Sequence, residues 1–313
     1  MTTCKCDEIL GNTGIGGCKP VAKVTKRIII VPEYDSAGVK NKVVVGTQLN
    51  DSIVTALINQ ADDTKRWRPS PLLENLTNTR ADSTFETAPS GAKAFIKQGI
   101  RSVAFEAWNQ GPEYKGNLDS VRCKGAAAYL VDGDGSLRGM VREGDEANLY
   151  PIKIDKQSWD VRLIEATDTT IQKLMISFDW DQKEDDALLR MISASSMNPD
   201  LDLLDTVAYD GLVDVEGTNI ATNQTSLVMK LVVKNSGDVA NKIFVSGLVA
   251  GDFTLYNETD SAAVTIISAT ENTSTKSYTL TYVSQTVADV LTLSVSKNGY
   301  DFSQVATVVN TVV

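Results

Sequence analysis

The residues best placed to do chemistry are carboxylates. The densest group is Asp179, Asp181, Glu184, Asp185 and Asp186. Carboxylates this close can hold a divalent cation, or divide the work of a general acid and a general base. The same residues also read as a helix start. Asp181 with Glu184 three positions on has the spacing of a capping box. Asp185 and Asp186 would put negative charge in the first turn, where the helix dipole favours it. Leu188, Met191 and Ile192 would supply the apolar stripe, so the expectation is a helix over 182–195 with the carboxylates as its cap. Were the chain a carboxylate-based hydrolase, Asp179 and Asp181 would be the pair to test, because both lie at one strand end.

Other groups carry weaker signals. Asp132, Asp134, Ser136 and Glu143 occupy positions 1, 3, 5 and 12 of a calcium-loop pattern. Position 6 is Leu137, where such a loop needs Gly, so the expectation is a hairpin turn. The cysteines are Cys4, Cys6, Cys18 and Cys123. Cys-x-Cys is too tight for a zinc knuckle and Cys123 is remote, so reduced thiols in an N-terminal arm are expected. A Cys6–Cys18 disulfide would need an oxidising compartment. The N-terminal glycines fail as a phosphate loop, because Lys19 is followed by Pro20. Lys65-Arg66-Trp67-Arg68 is too short to argue nucleic-acid binding and reads as a loop or interface patch. The chain has no histidine, which removes Ser-His-Asp, Cys-His and His-ligated zinc chemistry. No catalytic residue, metal ligand or cofactor site is therefore assigned, and a non-enzymatic role is expected.

The elements that position these groups point to two domains in 313 residues. The formal charge is −10. From Gly217 onward five Lys face seven Asp or Glu, so that part carries −2 and the remainder −8. Such a surface disfavours tight wrapping of DNA or anionic membrane. No apolar run approaches the roughly 20 residues that span a bilayer. The N-terminus lacks the basic start and apolar core of a secretory signal, so folding in a cytoplasm is expected.

Residues 1–20, rich in Gly, form an expected extended arm. Lys26–Val31 and Lys42–Val45 read as strands, the first stopped by Pro32. Asn50 or Asp51 caps a helix near 51–60, with Ile53, Val54, Leu57 and Ile58 inward. Residues 61–92 read as a long polar loop. Strands follow over 102–109, 126–131 and 137–141, then around Trp159–Leu163 and Leu174–Trp180. In the last of these Ser177 and Asp179 occupy the face opposite the apolar residues. A polar linker is expected over 214–224. About seven short strands fill 217–313, the count of an immunoglobulin-like sandwich, without the Cys and Trp pattern of antibody domains. The expected fold is mainly β: a β-sandwich or barrel over 21–216 with one or two short helices, near 51–60 and 182–195, then an immunoglobulin-like β-sandwich over 217–313.

Several pieces together carry a family resemblance. They are the Gly- and Cys-containing arm leading to KRIIIVPEY, and the stretch TFETAPSGAKAFIKQGIRSVAFE with Ser90-Gly91 and Gly99-Ile100-Arg101. AAAYLVDGDGSLRGMV and the appended immunoglobulin-like domain complete the set. The chain resembles the tail tube (major tail) proteins of tailed bacteriophages, those of Bacteroidetes-infecting phages in particular. That resemblance implies a β-sandwich core with a flanking helix and a long loop or hairpin. It implies stacked, hexameric rings through which DNA passes, with the immunoglobulin-like domain outside. The implied partners are further copies of the chain, other phage tail proteins, and DNA in passage without tight binding. The implied place is the virion tail, assembled in the host cytoplasm, and no cofactor is implied. Six copies at −10 would put roughly −60 on each ring, and repulsion over about 10 Å would keep DNA off the wall. The arm 1–20 and loop 61–92 would suit contacts between subunits. The alternatives are a capsid or head decoration protein, a hydrolase with an immunoglobulin-like binding module, and a cell-surface adhesin.

Overall fold

The computed structural model describes residues 22–45, 48–123, 125–205, 211–234, 236, 241–306 and 309–313. The expected arm over 1–20, with Cys4, Cys6 and Cys18, lies outside them. The chain divides into two units, Met1–Tyr209 and Asp210–Val313, and both are built mainly of β-strands. Among the described residues no helix is long and apolar enough to cross a membrane.

The first unit begins with β1 (Thr25–Pro32), β2 (Val43–Val44), helix α1 (Asp51–Ile58), β3 (Arg68–Pro69) and β4 (Glu74–Arg80). Next come β5 (Thr84–Thr87), β6 (Lys93–Lys97), β7 (Arg101–Trp108) and helix α2 (Pro112–Asp119). The remainder is β8 (Ala126–Asp132), β9 (Leu137–Arg142), β10 (Asp145–Tyr150), β11 (Ile152–Lys153), β12 (Asp160–Ile164), β13 (Lys173–Asp179) and β14 (Leu189–Ile192). One sheet runs β2-β10-β9-β8-β1-β3, with β11 on β8 and β14 on β9; a second runs β12-β13-β7-β4. Their facing sides share one core. Ile28 and Ile30 of β1 and Ala128 and Leu130 of β8 meet Phe105 of β7 and Ile176 and Phe178 of β13. The period-2 alternation of β13 makes this possible: Leu174, Ile176 and Phe178 are buried, and the residues between them are half-buried on the other side. All seven residues of β8 are buried. Its second face includes Tyr129, whose ring lies 5.4 Å from that of Trp67.

Helix α1 starts where Asn50 Oδ1 accepts the Ile53 amide at 3.0 Å, and it buries Val54 and Ile58. The helix expected over 182–195 does not form. Asp186–Leu188 makes a single 3₁₀ turn, capped by Asp185 Oδ1 on the Ala187 amide at 2.9 Å. The chain then becomes β14, which pairs with β9 from Leu189 opposite Met140 to Ile192 opposite Leu137. Ladder bonds to β9 satisfy the backbone and bury Ile192, and this pairing overrides a local helical pattern. The expected loop over 61–92 is also ordered, as β3, β4 and β5. Helix α2 carries Pro112 at its start and Gly116 in its middle, and it buries only Leu118.

The second unit contains β15 (Val213–Thr222), β16 (Ser226–Val233), β17 (Phe253–Asn257), β18 (Ala262–Val264) and β19 (Ile266–Asn272). It continues with β20 (Ser277–Tyr282), β21 (Val290–Val295), β22 (Tyr300–Asp301) and β23 (Val309–Thr311). Sheets β19-β20-β16-β15-β22 and β18-β17-β21-β23 form a sandwich over a core that includes Leu227, Met229, Tyr278 and Leu280 from one side and Leu255, Leu291 and Leu293 from the other. The segment expected as a linker, 214–224, is mostly β15, a ten-residue strand. The boundary between units falls at 209/210, ahead of residue 217. The segment Lys242–Val245, expected as a strand, makes only a bridge from Phe244 to Val232.

Candidate functional site

The most exposed regular element of the first unit is the hairpin β5–β6. Every residue of both strands is exposed. Phe85 pairs with Phe95, Glu86 with Ala94 and Thr87 with Lys93. The two Phe rings meet edge to face with centroids 5.8 Å apart, yet Phe85 remains 51%, Phe95 61% and Ile96 55% exposed. The tip closes through Ala88 N–H to Ala92 O and Gly91 N–H to Ala88 O, both at 2.8 Å. Gly91 has φ +83°, a conformation that a side chain would strain.

The hairpin stands on a tightly packed neck. A Cβ at Gly99 would lie 1.8 Å from the Ala81 carbonyl oxygen, so only glycine fits where these two segments of the neck meet. Arg80 Nη1 donates to Gly99 O at 2.8 Å, and the Ala81 amide donates to Ile100 O at 2.8 Å. Asp186 then bridges two arginines, accepting from Arg80 Nε at 2.9 Å and Arg101 Nη1 at 3.1 Å. Partial burial works against the Asp186 carboxylate, but the two guanidiniums outweigh it and hold its pKa below the ordinary value. Arg101 also lies over the Trp180 ring at 5.7 Å. Trp180 meets Phe178 edge-on at 5.0 Å, Phe178 stacks on Trp159 at 5.2 Å, and Trp159 Nε1 donates to Leu118 O of α2 at 3.0 Å. An aromatic column thus runs from α2 through the core to the hairpin neck.

Beside the neck lies a cavity of about 170 Å³, walled by Arg80, Arg101, Trp180, Asp181, Glu184 and Asp186 among others. The Trp180 indole nitrogen is buried and bonds to no protein group among the described residues. The carboxylates expected as a cluster are spread over separate tasks. Asp179 accepts from Ser102 Oγ at 2.5 Å on the outer face of its sheet. Asp181 pairs with Lys153 at 3.1 Å and accepts the Lys183 amide at 2.9 Å. Glu184 is pushed above the ordinary glutamate value by burial, with Arg142 at 4.0 Å opposing. Asp181 faces the cavity and Asp179 does not, so the two do not share a cleft.

The other sequence groups resolve into structural partners. Buried Asp132 accepts from Thr25 Oγ1 at 3.1 Å, the Lys23 amide at 3.2 Å and Arg138 Nη2 at 2.7 Å, tying β1 to β9. Burial raises its pKa and Arg138 opposes that rise. Asp134 accepts the Ser136 amide at 3.1 Å, Ser136 Oγ accepts the Ala194 amide at 3.2 Å, and Glu143 is exposed in the next turn. Gly135, at φ +82°, turns the β8–β9 hairpin. In the basic patch Lys65 pairs with Asp35 at 3.4 Å, Arg66 with Asp63 at 3.6 Å, and Arg68 bonds to Asp63, while Trp67 is buried. Among the described residues no three His, Cys, Asp or Glu side chains converge as metal ligands.

The residues that sequence reasoning passed over are Phe85, Phe95 and Ile96. Their signal is the mirrored pattern TFET and KAFIK about Pro89-Ser90-Gly91, which is a hairpin flanked by its turn. No known protein family and no curated protein matches this chain.

Proposed function

We propose that the protein is a structural subunit that assembles with copies of itself, of the tail-tube kind that its sequence resembles. In this reading the subunits form stacked rings in a virion tail, assembled in the host cytoplasm, with other tail proteins at the tube ends. The tube admits DNA in passage without binding it tightly, and the subunit is not an enzyme. The observation that carries the reading is the β5–β6 hairpin. A two-stranded hairpin alone is marginal in water, and one that displays two Phe and an Ile leaves apolar surface without cover. A second copy of the chain supplies that cover and hides the strand edges that invite uncontrolled pairing. The paired Arg80–Asp186–Arg101 neck supports the reading, because it fixes the direction in which the hairpin leaves the body.

The test is negative-stain electron microscopy of the purified chain over a concentration series. Rings or hollow tubes are the expected result. A monodisperse monomer at every concentration would sink the proposal. Decoration of preformed capsids without self-assembly would replace it with the head-decoration alternative.

A further inference from the structure

The β5–β6 hairpin leaves the first unit at one end of strand β7, and the opposite end of that strand carries a second apolar patch. β7 begins at Arg101 in the neck and ends at Trp108, about 24 Å further on for extended chain. Trp108 lies opposite Lys173 of β13 on the outer side of the sheet and is 45% exposed. Ile171, two residues before Lys173, is 44% exposed. The Asn109 amide donates to Gln172 O at 3.0 Å and Gln172 Nε2 donates to Gln110 O at 2.9 Å. The start of α2 and the β12–β13 turn therefore lie side by side at this end. That turn is exposed from Glu165 to Ile171. The lysines here are taken up: Lys173 by Glu106 at 2.6 Å, Lys115 by Asp119 at 2.6 Å and Lys26 by Glu74 at 4.0 Å. Glu113, Glu165 and Asp168 are left exposed, with no ion pair among the described residues. The patch is thus apolar with an acidic rim.

The hairpin has the opposite sign on its aromatic side. The pairs Phe85–Phe95 and Thr87–Lys93 share one face, and the pair between them, Glu86–Ala94, turns the other way. Thr84 and its partner Lys97 also fall on the Glu86 side. The one charge beside the two Phe rings is therefore Lys93, next to the tip. We infer that the aromatic side of this hairpin seats on the Trp108 end of the next copy, a head-to-tail contact that rests on the assembly proposed above. Charge decides the occupant. Two hairpins placed face to face would oppose Lys93 to Lys93, whereas the Trp108 end offers Lys93 three carboxylates and offers the Phe rings an indole and an isoleucine. Polarity decides the arrangement. The projection and its seat lie at opposite ends of the same strand, so copies facing one way can repeat the contact without limit, as a heterologous interface does. The Arg80–Asp186–Arg101 neck holds the projection in line with its sheet. Within a ring every subunit offers one hairpin and one seat, so the contacts between rings form in parallel and individually weak ones add.

The first measurement uses the unaltered chain. Of its four tryptophans, Trp67, Trp159 and Trp180 are at most 3% exposed, so acrylamide quenching of tryptophan fluorescence reads Trp108. Quenching should fall at least about twofold between dilute chain and assemblies, because a seated partner excludes water and quencher. Assemblies that quench as the dilute chain does overturn this inference and leave the assembly reading intact. Failure to assemble at all overturns both. Charge reversal then identifies the occupant. Lys93→Glu in one protein, and Glu165→Lys with Asp168→Lys in another, should each raise the assembly threshold about fivefold at low salt with an unchanged Tm. An equal mixture of the two should assemble near the wild-type threshold, because each supplies the charge that the other's hairpin or seat now requires. Protection of Trp108 without rescue in the mixture would mean that another surface covers the seat, and it too overturns the contact.

Discussion

Replacing Phe85 and Phe95 together by Ser separates assembly from folding. Fully burying a Phe side chain stabilises by about 1.5–3 kcal/mol. Phe85 is 51% and Phe95 61% exposed, so roughly half of that value remains to be gained when a partner covers them. The double variant should therefore weaken each hairpin contact by about 2–3 kcal/mol, on the order of 30- to 150-fold in its equilibrium constant. The core of the first unit uses neither ring. Substitutions of this exposed kind usually change stability by no more than about 0.5 kcal/mol, so Tm should move by about 2 °C or less. Light scattering against concentration gives the assembly threshold, electron microscopy gives the product, and circular dichroism gives Tm. A wild-type threshold would remove the hairpin from the interface. A fall in Tm of more than about 5 °C would show that the rings belong to the fold.

Three further outcomes follow from the geometry. Gly99→Ala forces the Ala81 carbonyl back by more than 1 Å; it should cost about 2–3 kcal/mol and lower both Tm and assembly yield, and wild-type values of both would refute the tight neck. Buried Arg27 donates to Ser70 O at 2.6 Å, Leu203 O at 3.2 Å and Asp205 O at 3.1 Å; Arg27→Met should therefore destabilise the first unit by about 3 kcal/mol in urea titration, and a neutral result would dissolve this clamp. The pH dependence divides by sign. Asp186, with a lowered pKa, contributes stability above the ordinary aspartate value and loses it as pH falls through the lowered value, so Asp186→Asn should flatten the acid limb of a urea-midpoint profile. Glu184, with a raised pKa, favours folding while protonated and loses that contribution as pH rises through its raised value. Glu184→Gln should therefore gain stability at neutral pH relative to acid, and a parallel shift at all pH values would refute the assignment.

What was legible in the sequence was whatever one local period could encode. The alternation of Leu174, Ile176 and Phe178 gave β13, and the Asp-Gly-Asp-Gly turn gave the β8–β9 hairpin, because burial on one face writes itself into every second residue. The failures share a different cause. Residues 189–192 carry spacing that suits a helix, but their fate depends on an open side of β9, some 50 residues earlier in the chain. β4 reads as loop because Asn and Thr occupy both its faces, and only pairing with β7 makes it a strand. β15 looks like a linker for the same reason: its polar residues are held by Leu227–Val233 of the neighbouring strand. At the candidate site, the carboxylates were visible as a cluster in sequence and are dispersed in space. The apolar pair Phe85–Phe95 was hidden, since a residue turned outward carries no periodic mark.

The pairing of β1 with β8 has a consequence for how the protein is made. Thr25 and its partner Asp132 are 107 residues apart. At synthesis rates of roughly 5–20 residues per second, about 5–20 s separate their emergence from the ribosome. The β5–β6 hairpin closes within a few residues, in about 1–10 μs once both strands are out. The sticky element therefore precedes the body that carries it, and for those seconds β1 waits with its isoleucines uncovered. In refolding from denaturant the whole chain is present from the start, but the local β5–β6 hairpin still closes before the long-range pairing of β1 with β8. Refolding yield is expected to fall steeply as chain concentration rises, even under conditions where folded chains stay apart.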